Sequence, residues 1–242
     1  MEYKKKLLPA LLLYQKRAIK LANFLVATAD TEKKNLIKLG YNKNIAIIPN
    51  GIVIDGIAMK KSWEERKQIL FLALYRRNKG IDLLMQAIFH MKNDLKDWKV
   101  IIAGIESDYT IKDLKRMAEE KGISNIITVT GGLFGDDKWN TYRESDVFVL
   151  PTLNENFGIV IAESLPVITT QGAPWPKIPE YGCGWWIHRS VDEIITAIKE
   201  FIQTPIERRQ EMGHNGRKLI EENFSSQKVA QDMVELYKKV CL

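Results

Sequence analysis

The sequence predicts an α/β chain built on a doubly wound parallel sheet. Two observations carry the prediction: six short apolar or β-branched runs recur along the chain, and segments of helical periodicity separate them. That alternation joins parallel strands through helical crossovers and covers both faces of the sheet. A third observation places a ligand on it. One run, Asp146 to Leu150, stops at Pro151 and opens into a polar loop whose glycine starts the next helix. In open α/β sheets, ligands lie beyond the carboxyl ends of the strands, where such loops are.

The six predicted strands are Ile69 to Leu74, Trp98 to Ala103, Ile126 to Thr130, Asp146 to Leu150, Pro166 to Thr170 and Gly184 to Ile187. Between them, Ile81 to Met91 sets Leu83, Leu84, Ala87, Ile88 and Met91 on one helical face, and Ile111 to Lys121 closes on Gly122. Asp136 and Asp137 mark another helix start, and Val191 to Ile202, Pro205 to Glu222 and Ser225 to Val240 read as carboxyl-terminal helices. The first fifty residues hold a basic, apolar-faced helix (Leu7 to Leu21), a strand (Phe24 to Ala27), a helix closed by Gly40 (Thr31 to Leu39) and a second strand (Ile45 to Ile48). The expected domains are therefore a short βα remnant over residues 1–50 and a doubly wound α/β domain over 51–242 that includes the carboxyl-terminal helices.

Composition narrows the class. With 45% hydrophobic residues, no apolar run long enough to span a bilayer and no secretory signal, the chain reads as cytoplasmic. Its two cysteines suit a reducing compartment, Cys183 as a small buried hydrophobe. The net charge of +6 concentrates in Lys4, Lys5, Lys6, Lys16, Arg17 and Lys20, beside Leu11, Leu12, Leu13, Ile19 and Leu21. This pattern allows peripheral docking to an anionic inner membrane face, and equally the solvated side of a helix packed on another domain. Nucleic acid is not expected, since no recognition motif accompanies the charge.

The chemistry concentrates in Pro151 to Glu163. Glu155 and Glu163 stand eight positions apart around Phe157-Gly158. Most glutamate pairs at that spacing are solvated, but glycine at a helix start lets backbone approach a ligand. The new helix then presents free N–H groups and its positive dipole end to a diphosphate. Glu155 lies in the loop beside that position and Glu163 over a turn further on, so the two can hold different parts of one extended ligand. Other chemistries find no support: His90, His188 and His214 lack metal-ligand spacing, and no metal is implied. There is neither a nucleophile elbow nor a G-x-G-x-x-G fingerprint.

The Glu155-Asn156-Phe157-Gly158…Glu163 segment resembles the E-x7-E signature of the retaining glycosyltransferases of family 4, which have the two-domain glycosyltransferase B fold. Ile48-Pro49-Asn50-Gly51 is similar to that family's interdomain linker, and Lys79-Gly80 to its phosphate-side lysine. Gly172 to Trp175 and Cys183 to Trp186 resemble a bacterial surface-polysaccharide branch. The resemblance implies a Rossmann-like donor domain for a UDP- or GDP-sugar and no other cofactor. It puts Lys79 and the amides around Asn156, Phe157, Gly158 and Ile159 on the diphosphate, Glu155 on the sugar and Glu163 on the ribose, with transfer to a saccharide or lipid-linked acceptor. Trp175, Trp185 and Trp186, with Gly172 and Gly184, read as packing at domain edges, although a tryptophan near the Gly172 loop could touch that acceptor.

Two departures accompany it. The family's arginine five positions before the lysine is Leu74 here, with Arg76 and Arg77 close by, and only two residues separate Glu163 from Pro166. The expectation that most of the acceptor domain is missing from this sequence leaves a non-catalytic nucleotide-sugar-binding module as the alternative, with a related B-fold epimerase behind it.

Overall fold

The computed structural model describes residues 15–54, 60, 63–162 and 166–241. They divide into two compact units, one running to Gly51 and resuming at Phe224, the other spanning Ile52–Asn223.

The smaller unit contains helix α1 (Lys16–Leu21), strand β1 (Leu25–Ala27), helix α2 (Asp30–Leu39), strand β2 (Ile45–Ile47) and the final helix, here α10 (Ser226–Cys241). β1 and β2 pair in parallel, Leu25 opposite Ile45. Gly40 ends α2 in the left-handed region at φ 68°. Residues 7–14 of the predicted basic helix, and Lys4 to Lys6, lie outside the described residues. Assigning Phe224–Leu242 to this unit differs from the sequence reading, which attached that helix to the larger domain. The backbone break at Phe224 separates α10 from the helix before it, and a Cβ on Gly51 would sit only 3.1 Å from the Ser226 Cα.

The larger unit is one six-stranded sheet: β3 (Gln68–Leu72), β4 (Lys99–Ala103), β5 (Ile127–Val129), β6 (Val147–Leu150), β7 (Val167–Thr170) and β8 (Gly184–Ile187). The strands lie in the order β5-β4-β3-β6-β7-β8, and every pair is parallel. Counted from β3 this is 3-2-1-4-5-6, the doubly wound Rossmann order. All six predicted strands are present: β8 keeps its predicted bounds, β3 gains Gln68 and loses its last two residues, and the others are trimmed by one residue at one or both ends. β6 and β7 are buried at every position, as strands covered on both faces must be.

Helices α3 (Ile81–His90), α4 (Ile111–Glu120), α5 (Gly135–Glu144), α8 (Val191–Gln203) and α9 (Ile206–Asn223) connect or flank the strands. α3 packs on α8, which puts Leu84, Ala87 and Ile88 of the one and Ile194, Ala197 and Ile198 of the other out of solvent. Asp136 and Asp137 occupy the first turn of α5, as expected of acidic residues at a helix start. Short α6 (Ile159–Ala162) follows Gly158, and α7 (Lys177–Tyr181), which periodicity did not reveal, fills the five residues before Gly182. Cys183 is fully buried, with its thiol against the Ile178 carbonyl at 3.5 Å.

Candidate functional site

In the order 3-2-1-4-5-6 the chain reverses direction of winding between β3 and β6, and a crevice opens at the carboxyl ends of those two strands. The loops that meet there are Ala73 to Gly80 and Pro151 to Gly158. They bring Lys79 and Glu155 together: the Lys79 ammonium donates to Glu155 Oε2, and the two side chains are only 15% and 17% exposed. Residues 76 positions apart thus form the charged centre of the crevice.

The surrounding backbone is built for this approach. A single 3-10 turn, Arg77–Lys79, ends at Gly80, which has φ 76° and also starts α3. A Cβ on Gly80 would fall 2.1 Å from the Pro151 carbonyl oxygen, so a side chain would force the loops apart. The Asn78 carbonyl accepts from Leu153 N at 2.6 Å and from Thr152 Oγ1 at 3.2 Å, while Asn78 Nδ2 donates to Asn154 Oδ1 at 2.9 Å.

The end of β6 is held from its other side as well. Three successive carbonyls are caught by side chains: Leu150 by Thr169 Oγ1 at 2.9 Å, Pro151 by Arg189 Nε at 3.2 Å, and Thr152 by Thr170 Oγ1. Glu155 N donates to the Gly172 carbonyl at 2.9 Å. A Cβ on Gly172 would strike the Thr152 and Leu153 carbonyls at 2.4 Å. Asn78, Thr169, Thr170 and Arg189 were not singled out from sequence. Only the Asn-Lys-Gly turn was a local signal, and Arg189 lies 38 residues from its partner.

The predicted cradle divides. Gly158 has φ 79°, and its missing Cβ makes room for Glu155 Cγ, which would otherwise be 2.8 Å away. Asn156 and Ile159 are exposed, and the amides of Asn156, Gly158 and Ile159 have no acceptor among the described residues. The Phe157 ring instead belongs to the core: it is 3% exposed and packs 5.1 Å from the Trp175 ring. Any donor contact from Phe157 therefore falls to its main chain. Trp175 is 1% exposed and donates Nε1 to the Phe157 carbonyl at 2.5 Å, which removes it as an acceptor contact. Glu163 lies outside the described residues.

Beside the Lys79–Glu155 pair an open cleft of about 500 Å³ is lined by Arg76, Arg77, Asn78, Asp108 and Leu153. Leu74, at the position where an arginine was expected, is 38% exposed. Arg76 Nε donates to Ser107 Oγ at 3.2 Å, and the Arg77 guanidinium lies 6.0 Å from the centre of the Tyr109 ring. Asn78 Oδ1 and Asp82 Oδ1 are buried without a partner among the described residues. His90, His188 and His214 are exposed, and no group of three or more potential metal ligands comes together among the described residues.

A family profile described as "Glycosyl transferases group 1" matches residues 57–219, a span that contains both loops of the crevice. The chain belongs to that family. Among the curated relatives of this glycosyltransferase chain, one from Methanocaldococcus jannaschii is 25% identical over 214 residues, covering 80% of this chain and 54% of that one. The capsular polysaccharide biosynthesis glycosyltransferase CapM of Staphylococcus aureus is 25% identical over 226 residues, covering 88% and 58%. The glycosyltransferase chain spans about half the length of the curated relatives it matches.

Solved structures agree on the glycosyltransferase B fold. A glycosyltransferase from Rickettsia africae superposes with a TM-score of 0.80 at 18% identity, over 93% of this chain and 66% of that one. HepE from Anabaena, in complex with UDP and glucose, gives 0.78 at 17% identity, over 92% and 65%. No helix among the described residues of the glycosyltransferase chain is long and apolar enough to cross a membrane.

Proposed function

We propose that this chain is the donor half of a glycosyltransferase that moves a sugar from a nucleotide diphosphate sugar to a saccharide or lipid-linked acceptor, with retention of configuration, in surface polysaccharide synthesis. The observation that carries this reading is the meeting of Lys79 and Glu155 at the switch point of the sheet. Departure of the sugar leaves negative charge on the diphosphate, which fixed cations and amides can answer. Lys79 supplies the ammonium, and Gly158 and Ile159 supply N–H groups without acceptors among the described residues. Arg76 and Arg77, on the wall of the adjoining cleft, stand in for the cation lost at Leu74. Glu155 is directed at the sugar and Glu163 at the ribose hydroxyls. That HepE was crystallised with UDP and glucose, and that CapM is described as a capsular polysaccharide enzyme, supports this choice of donor and pathway.

Calorimetric titration of the chain with UDP and GDP tests the site. Glu163→Ala is expected to weaken binding without unfolding the protein, and unchanged affinity in the folded variant would sink the assignment. Lys79→Ala should cost a nucleoside diphosphate far more affinity than it costs the corresponding nucleoside, on the order of ten- to a thousandfold for one lost donor. Equal losses for both ligands would contradict its role.

The second reading, a nucleotide-sugar-binding module without turnover, is favoured by exposed Leu74 in place of a cation. Binding of UDP or GDP without transfer or hydrolysis of the matching nucleotide sugar would select it.

A further inference from the structure

Before any ligand enters, the proposed phosphate cation already has an anion of its own. Lys79 donates to Glu155 Oε2, both side chains are more than four-fifths buried, and the surrounding loops hold the pair in place. On the lysine side, Gly80 and the Asn78 carbonyl leave the turn no freedom to withdraw from Leu153 and Pro151. On the glutamate side, Glu155 N is tied to the Gly172 carbonyl, and its Cγ fills the space left by the absent Gly158 side chain. A carboxylate confined there sees whatever charge is brought to Lys79.

Resting on the donor-site reading, we propose that Glu155 determines specificity by charge, selecting an esterified diphosphate over a free one. A nucleotide sugar has its terminal phosphate esterified and so presents one negative charge fewer there than the free nucleoside diphosphate. Beside Lys79 the free terminal phosphate meets the Glu155 carboxylate as a like charge, and at 17% exposure that carboxylate is screened by water only in part. The sugar of the intact donor instead separates the two and takes the carboxylate as a hydrogen-bond acceptor. Glu155 thereby favours entry of donor and departure of the spent nucleotide, an effect separate from its contact with the sugar.

The two effects differ in sign for one ligand. Glu155→Gln keeps the size of the side chain and an oxygen for Lys79 to donate to, but removes the charge. The full chain and this variant are titrated with UDP, GDP, UDP-glucose and GDP-mannose, and the base that binds more tightly is followed. The free diphosphate is expected to bind Glu155→Gln on the order of tenfold more tightly than it binds the parent, while the nucleotide sugar does not gain. The gain should disappear when Lys79→Gln is added, because the charge acts through the site that Lys79 defines.

Unchanged or weaker diphosphate affinity in the folded Glu155→Gln variant overturns the selectivity, even if the nucleotide sugar weakens, and leaves Glu155 as a sugar contact. Equal gains for both ligands overturn it as well. If none of the four nucleotides binds any of the proteins, the donor site itself is refuted and the inference falls with it.

Discussion

The two ends of the six-stranded sheet differ in how completely their buried polar groups are paired. At the amino end, Asp146 is 4% exposed, and its carboxylate accepts from Arg66 N and Gln68 N at 3.0 Å and from Lys60 Nζ at 3.5 Å. Arg209, 3% exposed, is spread over Glu65 at 2.8 Å and the carbonyls of Thr204 and Ile202 at 2.9 Å. At the carboxyl end, Asn78 Oδ1 and Asp82 Oδ1 are buried without partners among the described residues, and the arginines face an open cleft. A polar group whose bonds are all internal contributes to stability. One left short of partners in a closed place carries a cost that a ligand can relieve. The difference separates the residues that hold this domain together from those at the proposed donor site.

The largest expected effect breaks the amino end. Asp146→Ala leaves two backbone N–H groups without their acceptor and the buried Lys60 ammonium without its counter-charge, holding the Ser145 carbonyl at 3.1 Å, and should destabilise the fold by about 3 to 5 kcal/mol. Urea unfolding measures it. Affinity of the remaining folded protein for UDP or GDP should be unaltered, and a parallel loss of affinity would erase the distinction between the two ends.

Gly80→Ala strikes the carboxyl end. The added methyl meets the Pro151 carbonyl in a left-handed backbone conformation, and a loss of about 1 to 3 kcal/mol is expected as the loops separate. Here diphosphate affinity should fall together with stability, because Lys79 moves away from Glu155.

Lys60→Met sharpens the contrast within the amino end. Burial lowers the Lys60 pKa below its usual 10.5, and Asp146 beside it only partly opposes the shift. The unfolded chain therefore holds that proton more tightly, so the buried ammonium works against folding at neutral pH and its cost fades as pH rises towards 10.5. Because Asp146 keeps its two backbone donors, replacing the lysine with an apolar side chain of similar length is expected to cost less than removal of Asp146. Urea melts of both variants at one pH decide this.

The smallest effect is one of reactivity. Burial pushes the Cys183 thiol up to about 12. In a Cys241→Ser background, a disulfide reagent at pH 8 should therefore leave the folded chain unmodified and react once the chain is unfolded in urea. Rapid labelling of the native protein would show that β8 is not seated as described.

Much of this was legible in the sequence, for particular reasons. β6 announced itself through Val147 to Leu150, apolar at every position and closed by a proline, and Gly158 through its place at the start of a helix. Helix α7 was not legible, because five residues containing Pro179 carry too little periodicity to register. Trp175 was expected to pack, but its partner was not legible: a tryptophan beside a glycine loop looks the same whether its ring lies at a domain edge or against Phe157. That one oxygen each of Asn78 and Asp82 lacks a partner among the described residues is a property of surroundings that no local pattern describes.

By itself the sequence determined the local elements and the residue types of the site. Helix and strand periods, caps and breaks are set by neighbours a few positions apart, and the chemistry of lysine, glutamate and glycine travels with the residue. Only the tertiary structure decided which of these residues meet. The order 3-2-1-4-5-6 places β3 beside β6 across two intervening strands of chain, so that Lys79 finds Glu155, Gly80 makes room for the Pro151 carbonyl and Arg189 reaches back over β7 to the same atom. Strand order follows from crossovers and from burial of both sheet faces, and these long-range contacts leave no imprint at the spacing of a motif.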